Sequence, residues 1–200
     1  MVERVLEATA LVLAERGYAG ISTNLIADRA GVSVGSLYQY FPNKDALVTA
    51  LHERHAAQMG QIIEQVLCEA HPRGLRGHID AIVRALVAAH RLEPALHKVL
   101  EKELPFFEPP KDQSPADNVI FSRISALLGA HREQISQANL DLATWTVLRI
   151  MESLVHAAVI DPPARFGIDA IEQSIVEAIV GYLVAPQAEP TASALRSSPG

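Results

Sequence analysis

Hydrogen-bonding side chains are concentrated in one short stretch of the sequence, AGVSVGSLYQYFPNKDAL at residues 30–47. It offers hydroxyl, amide and phenol groups from Ser33, Ser36, Tyr38, Gln39 and Tyr40. Such groups donate and accept hydrogen bonds to nucleic-acid bases and phosphates. The stretch contains no paired carboxylates, so its chemistry predicts recognition and not turnover.

The remaining sequence offers few groups at catalytic or metal-binding spacing. His52 and His55 are three residues apart in a predicted helix, which is compatible with a shared metal ion. His55 also continues an apolar stripe, so a hydrogen-bonded packing histidine is the favoured interpretation. The other histidines are scattered, and the sequence has no Cys/His cluster, paired carboxylates, G-x-S-x-G or phosphate-loop motif. We therefore predict a protein that is not an enzyme and that needs no metal or cofactor.

Composition predicts a soluble, cytoplasmic globular protein. The chain is 49% apolar with a formal net charge of −6. No apolar run approaches the roughly 18 residues that span a bilayer. Cys68 is the single cysteine, which leaves a redox sensor or an intermolecular bridge as alternatives to the favoured interpretation, a small and partly buried side chain.

The elements that must position these groups are helices. Apolar residues recur at helical spacing and no period-2 run is present, which predicts an all-α protein of about nine helices. The first four helices are predicted over residues 2–16, 23–30, 34–40 and about 43–68. Later helices are separated by breaks at residues 71–77, 93–94, 105–118, 136–139 and 161–167. A left-handed cap is expected at Gly17.

The second and third predicted helices have the pattern of a helix-turn-helix. Gly31 supplies the positive φ that ends one helix, and Ser33 caps the next. Leu37 and Phe41, one turn apart, would anchor the inner side of the third helix, so that Gly35 and its neighbours point outward. A short, exposed helix of this kind fits the major groove of DNA.

The segment RGYAGISTNLIADRAGVSVGSLYQYFPNKDALVTAL, residues 16–51, closely resembles the DNA-binding segment of the tetracycline-repressor (TetR) family of bacterial transcriptional regulators. The extended pattern G-x-LYxYF followed by NKDAL is far more specific than a helix-turn-helix signal. The resemblance implies a three-helix DNA-binding domain at residues 1–46 and a helical effector-binding and dimerisation domain at 47–185. The polar tail, residues 186–200, is predicted to be disordered.

The resemblance also implies roles for individual residues. It matches Ser33 to Tyr40 with the recognition helix, and it assigns contacts with bases, backbone or phosphates to Thr23, Ser33, Val34, Gly35, Ser36, Tyr38, Gln39, Tyr40 and Lys44. Simpler interpretations stay open. Tyr38 and Tyr40 would only wedge the helices together, and Thr23 would only cap its helix. Gly35 would be a glycine that the helix tolerates rather than a point of close approach to DNA, Gln39 an ordinary surface residue, and Lys44 a solvated charge. Residues 1–50 carry four basic and five acidic side chains. Because so few phosphates would be neutralised per protomer, binding to two half-sites is expected.

Two apolar stripes near the C-terminus predict a dimer interface. The stripe over residues 140–160 is too wide for one buried face, and a second stripe follows at 168–183. We predict interface positions at Val147, Met151, Leu154, Ile171, Ile175 and Ile179, with ordinary intramolecular core as the alternative. An isologous homodimer would place two recognition helices on a pseudo-palindromic DNA site.

Apolar residues with sparse polar groups in the middle of the chain predict a ligand pocket. The candidates are Leu86, His90, Leu96, Val99, Leu104, Phe106, Phe107, Phe121, Trp145 and Met151, although ordinary core explains such residues equally well. The sequence thus predicts a regulator, most simply a repressor released from its operator by a small, mostly apolar effector. The alternative is a small-molecule binding protein whose helix-turn-helix no longer binds DNA specifically.

Overall fold

The computed structural model describes residues 1–69, 74–103 and 114–185, and in these ranges it contains nine α-helices and no strand. The helices are α1 Val2–Arg16, α2 Thr23–Ala30, α3 Val34–Tyr38, α4 Lys44–Cys68, α5 Leu75–His90, α6 Pro94–Glu103, α7 Pro115–Ala130, α8 Leu140–Ile160 and α9 Ile168–Val184. The predicted all-α class is confirmed. The predicted tail at residues 186–200 lies outside the described ranges.

Three helix boundaries differ from the prediction, and one of them is the start of α7 at Pro115, inside the break predicted at residues 105–118. α3 ends at Tyr38, so Gln39 and Tyr40 form a turn and are not part of the helix. α5 begins at Leu75, inside the loop predicted at residues 71–77. Leu75 is only 2% exposed, and this burial favours a helix start where the two flanking glycines alone predict a loop.

Side-chain caps fix the starts of the three helices around the proposed DNA-facing stretch. Ser22, Ser33 and Asn43 each accept a hydrogen bond from the backbone N–H three residues ahead, at 3.2, 3.0 and 2.8 Å. Each cap satisfies a donor that has no partner within its helix and contributes about 1 kcal/mol. The directions in which α2, α3 and α4 leave their turns are therefore set by local sequence.

Glycines end the first two helices in different ways. Gly31 has φ 64° and ψ 39°, the left-handed conformation predicted for the end of α2. Gly17 has φ 65° but ψ 176°, so the left-handed cap expected there is wrong. Both conformations favour glycine because a side chain at positive φ is strained.

The helices enclose two apolar cores. One is built by α1, α2, α3 and the first turns of α4, and the other by the rest of α4 with α5, α7, α8 and α9. α6 packs against α1 and contributes Leu96, Val99 and Leu100 to the first core. Leu96 and Val99, predicted as pocket residues, are therefore corrected to core residues of the N-terminal part.

Arg84 links α5 to α9 through charged hydrogen bonds. Its guanidinium lies 3.1 Å from Asp80 one turn earlier and 2.9 Å from Glu172 on α9. Burial raises the pKa of the Glu172 carboxyl, and the Arg84 guanidinium opposes that rise. A buried carboxylate needs such a partner, so the pair fixes how α9 lies on the core.

α8 is 21 residues long with a mean hydropathy of 1.2 in its most apolar window, so by length and composition alone it resembles a membrane span. It packs against α5, α6, α7 and α9. It also carries Arg149 and Glu152, which pair at 2.7 Å. These contacts bury one side of the helix, whereas only 33% of its most apolar window is buried, so part of the apolar surface of α8 lies on the outside of the protomer.

Candidate nucleic-acid interface and ligand cavity

The buried contacts of α3 lie on its inner side. Leu37 is fully buried and Phe41 is 7% exposed, as the one-turn spacing predicts. Gly35 and Gln39 are exposed on the opposite side. Tyr40 is 54% exposed, which argues against the interpretation that it wedges the short helices together.

Hydroxyl groups on this exposed side contact one another. The Thr23 hydroxyl lies 2.9 Å from that of Tyr38, joining the start of α2 to the end of α3. The Ser33 and Ser36 hydroxyls lie 2.8 Å apart. Ser22 caps α2, so Thr23 is not needed as its cap and its side chain belongs to the exposed polar surface. The hydroxyls of Thr23, Ser33, Ser36 and Tyr38 together form a surface of neutral hydrogen-bond donors and acceptors.

Lys44 is positioned at the first residue of α4 by the preceding turn. Its Nζ lies 4.0 Å from the centre of the Tyr18 ring and donates to the Tyr18 carbonyl at 3.4 Å. The Tyr18 hydroxyl in turn donates to Asp45, and burial followed by this carboxylate raises the pKa of Tyr18 to about 12. Lys44 is therefore held in place beside a helix N-terminus, where anions such as phosphate are favoured.

Two arginines of the N-terminal part are engaged in ion pairs. Arg29 on α2 pairs with Glu15 at 2.8 Å, and Arg54 on α4 pairs with Glu3 at 2.9 Å. Because these charges are partly neutralised, the surface around α3 is polar with a local cation at Lys44. Such a surface suits the reading of base edges more than strong non-specific attraction to phosphates.

A cavity of about 910 Å³ lies among α4, α5, α6, α7 and α8. Its apolar lining includes Met59, Ile63, Leu86, Ile120, Phe121, Trp145, Leu148, Met151 and Val155. Five of the predicted pocket residues, Leu86, His90, Phe121, Trp145 and Met151, are thus brought together. Leu104, Phe106 and Phe107 lie outside the described residues. The assignment of this cavity to an effector stays a prediction.

Five histidines from four helices line the same cavity: His52, His55, His90, His97 and His156. The ring centres of His55, His90 and His97 are 4.5 to 5.0 Å apart, and that of His156 lies 5.0 Å from His90. The expectation of scattered histidines is wrong, because positions distant in sequence converge in the bundle. His97 and His156 carried no local signal that would have selected them.

The chemical state of two of these imidazoles follows from their surroundings. Nδ1 of His90 lies 2.7 Å from the Leu86 carbonyl; a carbonyl only accepts, so this nitrogen carries a proton, and in the neutral form of the ring Nε2 carries the lone pair. Burial, followed by His97 and His90, lowers the pKa of His55 well below its usual value. His55 is therefore neutral at physiological pH.

Four of the six residues predicted at a dimer interface are buried within the protomer. Val147, Met151, Ile175 and Ile179 are at most 2% exposed, so we correct their assignment to the intramolecular core. Leu154 is 38% exposed and Ile171 is partly buried. The wide stripes contain the inner sides of α8 and α9, and an interface would have to use the outer sides.

Cys68 is exposed at the end of α4, so the expectation of a partly buried side chain is wrong. Its thiol donates to Glu64 at 3.4 Å. The Glu64 carboxylate raises the pKa of the Cys68 thiol. A raised pKa lowers the thiolate fraction on which redox reactivity depends.

Family models match both parts of the chain. The model of bacterial regulatory proteins of the tetR family matches residues 5–51, and a model described as the C-terminal domain of tetracyclin repressor-like proteins matches residues 74–183. The second match alone covers more than half of the chain.

Known relatives match short stretches of the chain. The HTH-type transcriptional repressor KstR of Mycobacterium tuberculosis is 46% identical over 50 residues, 24% of this chain and 23% of that protein. The uncharacterized HTH-type transcriptional regulator YvkB of Bacillus subtilis is 38% identical over 63 residues, 32% of this chain and 33% of its own length. The matched stretch thus spans a third or less of these relatives.

The whole fold is similar to that of solved regulators. The structure of FadR from Bacillus subtilis in complex with stearoyl-CoA matches with a TM-score of 0.69 and 20% identity, covering 92% of this chain and 100% of that one. At this identity the match establishes a shared fold. The position of a ligand in this chain has to be argued from its own cavity.

Replacing Gly35 with alanine distinguishes a glycine required for close approach of DNA to the backbone from a glycine that the helix merely tolerates. A Cβ at Gly35 would meet nothing closer than the Ser33 hydroxyl at 3.9 Å, so Gly35→Ala should raise the free energy of unfolding by about 0.5–1 kcal/mol in a urea titration. If DNA approaches the backbone here, the same variant should bind its DNA site at least tenfold more weakly. Gly129→Ala on α7, equally uncrowded, is the matched control; unchanged DNA affinity in Gly35→Ala would refute the close approach.

Proposed function

The chain belongs to the TetR family of bacterial regulatory proteins, and on that basis we propose that it is a cytoplasmic, non-enzymatic transcriptional regulator. It binds a pseudo-palindromic operator as a homodimer and acts most simply as a repressor, released by a small, mostly apolar molecule. The observation that carries the proposal is the exposed polar side of α3 beside Lys44 at the start of α4. This arrangement combines base-reading groups with a phosphate-binding position.

Each part of the DNA-facing surface has a distinct task in this proposal. Val34, Gly35, Ser36 and Gln39 face the bases, and a glutamine suits bidentate hydrogen bonding to adenine. Thr23, Ser33, Tyr38 and Tyr40 contact the DNA backbone. Lys44, oriented by Tyr18, meets a phosphate and sets the depth at which α3 enters the groove.

Dimerisation through the outer sides of α8 and α9 completes the DNA-binding unit. Leu154 and Ala157 are exposed on α8, and on α9 the exposed positions Ala170, Ser174 and Ala178 recur every four residues. Small side chains allow two helices to approach closely. An isologous interface of this kind relates two copies of α3 by a two-fold axis, which is the symmetry of a palindromic operator.

Effector binding is proposed to act through α4 and α6, because each of these helices has residues both in the cavity and in the N-terminal core. α4 carries His55 and Met59 in the cavity and Leu47 in the N-terminal core; α6 carries His97 in the cavity and Val99 in that core. A ligand that prefers one arrangement of these helices shifts the population of dimers with correctly spaced recognition helices.

The cavity favours a ligand with a long apolar part and one polar end. Eleven of its 21 lining residues are apolar, while the five histidines, the Arg149–Glu152 pair, Asp117, Asn118 and Ser153 supply polar groups. The shared fold with a FadR structure that holds stearoyl-CoA supports testing fatty acids and acyl thioesters first. The volume, about 910 Å³, is in the range of cavities that hold small-molecule ligands.

The first test selects bound sequences from a random duplex pool. A palindromic consensus bound by a dimer is expected. With that duplex, Lys44→Ala should weaken binding to all sequences similarly and lower the salt slope by about 1 per protomer, because a phosphate contact is lost. Gln39→Ala should instead relax preference at one base pair by about 1–3 kcal/mol, measured by fluorescence anisotropy.

No enrichment from a folded dimer would support the alternative, a small-molecule binding protein without specific DNA binding. If neither variant altered binding to an enriched sequence, the placement of α3 in the groove would be wrong. Circular dichroism of both variants verifies that the fold is intact.

The dimer interface is tested with Ala178→Arg. Ala178 is exposed in the protomer, so the variant should keep its helix content while sedimentation analysis shows monomers, because a charged side chain would be buried between subunits. Operator affinity should fall about 100-fold with the loss of the second half-site. Ala88→Arg, the same change at an exposed position on α5, should remain dimeric; a dimeric Ala178→Arg would place the interface elsewhere.

Trp145 reports on the cavity, because it is the single tryptophan and lines that cavity while 56% exposed. Stearoyl-CoA should shift its emission to shorter wavelengths by covering the ring, whereas coenzyme A without an acyl chain should not. Ala56→Phe, which adds a ring inside the cavity, should weaken the response at least tenfold; Ala57→Phe, exposed one residue later, should not. Equal responses in the two variants would contradict ligand binding in this cavity.

A further inference from the structure

Three of the cavity histidines are arranged as ligands of one ion. His55 on α4, His90 on α5 and His97 on α6 each offer a ring nitrogen, and these atoms all lie within 4.8 Å of one another. His90 and His97 are 4% and 7% exposed, and all three line the cavity. We propose that His55, His90 and His97 bind a divalent transition-metal ion, best Zn²⁺, with a remaining coordination position open to the cavity.

The spacing of the rings fits tetrahedral coordination. Bonds of about 2.0–2.1 Å to imidazole nitrogen place ligand nitrogens about 3.3 Å apart and ring centres about 5 Å apart. The observed ring centres are 5.0 Å apart for His55 and His90, 4.6 Å for His55 and His97, and 4.5 Å for His90 and His97. The nitrogens need to approach by at most about 1.5 Å, which rotation of the side chains supplies.

The ring chemistry is that of metal ligands. The Leu86 carbonyl fixes the proton of His90 on Nδ1, the outer hydrogen bond that orients metal-binding histidines through the opposite nitrogen. Imidazole nitrogens suit Zn²⁺ and other late transition ions better than Mg²⁺ or Ca²⁺, which prefer oxygen ligands.

An ion bound by these three histidines would affect the arrangement of helices, because each ligand lies on a different helix. One ion would join α4, α5 and α6, and α6 packs against α1 through Leu96 and Val99. Metal binding therefore draws a helix of the N-terminal core toward the cavity. Its effect on operator affinity rests on the proposed function, whereas the metal site itself does not.

The test uses the full-length protein after removal of metals by a chelator. Co²⁺ should bind with one equivalent per protomer and produce the visible absorption of a tetrahedral site, which Zn²⁺ then abolishes by displacement. This measurement requires no variant, so a folding defect cannot explain its result. Absence of the tetrahedral spectrum, or octahedral Co²⁺ bound only weakly, would overturn the proposal.

Variants locate the ligands. His97→Gln, in which the side chain is a poor metal ligand of similar size, should weaken Co²⁺ binding about 100-fold or more, because loss of a direct ligand costs at least as much as loss of an outer partner. His78→Gln on α5, outside the cavity, should retain full affinity, as should Cys68→Ser. If His97→Gln is folded and binds Co²⁺ like the parent protein, or if Cys68→Ser loses the site, the assignment is wrong.

Operator binding measured on the same samples separates the two proposals. Binding of one Zn²⁺ without DNA binding would support the metal site and refute the proposed regulatory function. Operator binding without metal uptake would support the regulatory function and refute the metal site.

Discussion

A recognition helix of five residues cannot be stable by itself, because the first turn of a helix fixes several residues for one hydrogen bond. α3 is held by the burial of Leu37 and Phe41 against α1, α2 and the start of α4. The left-handed Gly31 and the cap at Ser33 supply its direction. The inner side therefore provides the stability, and this leaves the outer side available for polar groups that contribute little to folding.

The two apolar cores are connected by helices that take part in both. α4 runs from Leu47 in the N-terminal core to Ile63 in the C-terminal core, and α6 places Leu96 and Leu100 in the first core beside the cavity. Packed interiors transmit displacement because they have few voids. Any ligand that moves these helices thus acts on the positions of α1 to α3, without a contact of its own to the DNA-facing surface.

Local signals predicted the N-terminal part well, since caps, glycines and one-turn spacing act over a few residues. The end of α3 was misplaced because the amides of both Tyr40 and Phe41 bond to the Leu37 carbonyl, a tightened turn that propensity does not reveal. Four of the six predicted dimer residues were misassigned for a different reason. The stripe on α8 contains positions such as Val147 that face the core and positions such as Leu154 that face outward, and periodicity alone cannot separate two apolar sides of one helix.

The histidine cluster could not be predicted from local sequence patterns. His55 and His90 belong to different helices, and their meeting depends on how α4 and α5 pack. If stability alone determined the residues around this cluster, this part of the cavity would be lined with apolar side chains. Buried polar rings contribute less to folding than packed methyl groups do. The imidazoles that converge from separate helices replace apolar packing at this place in the cavity. Packing gives no reason for this replacement, whereas a binding role for the cluster does.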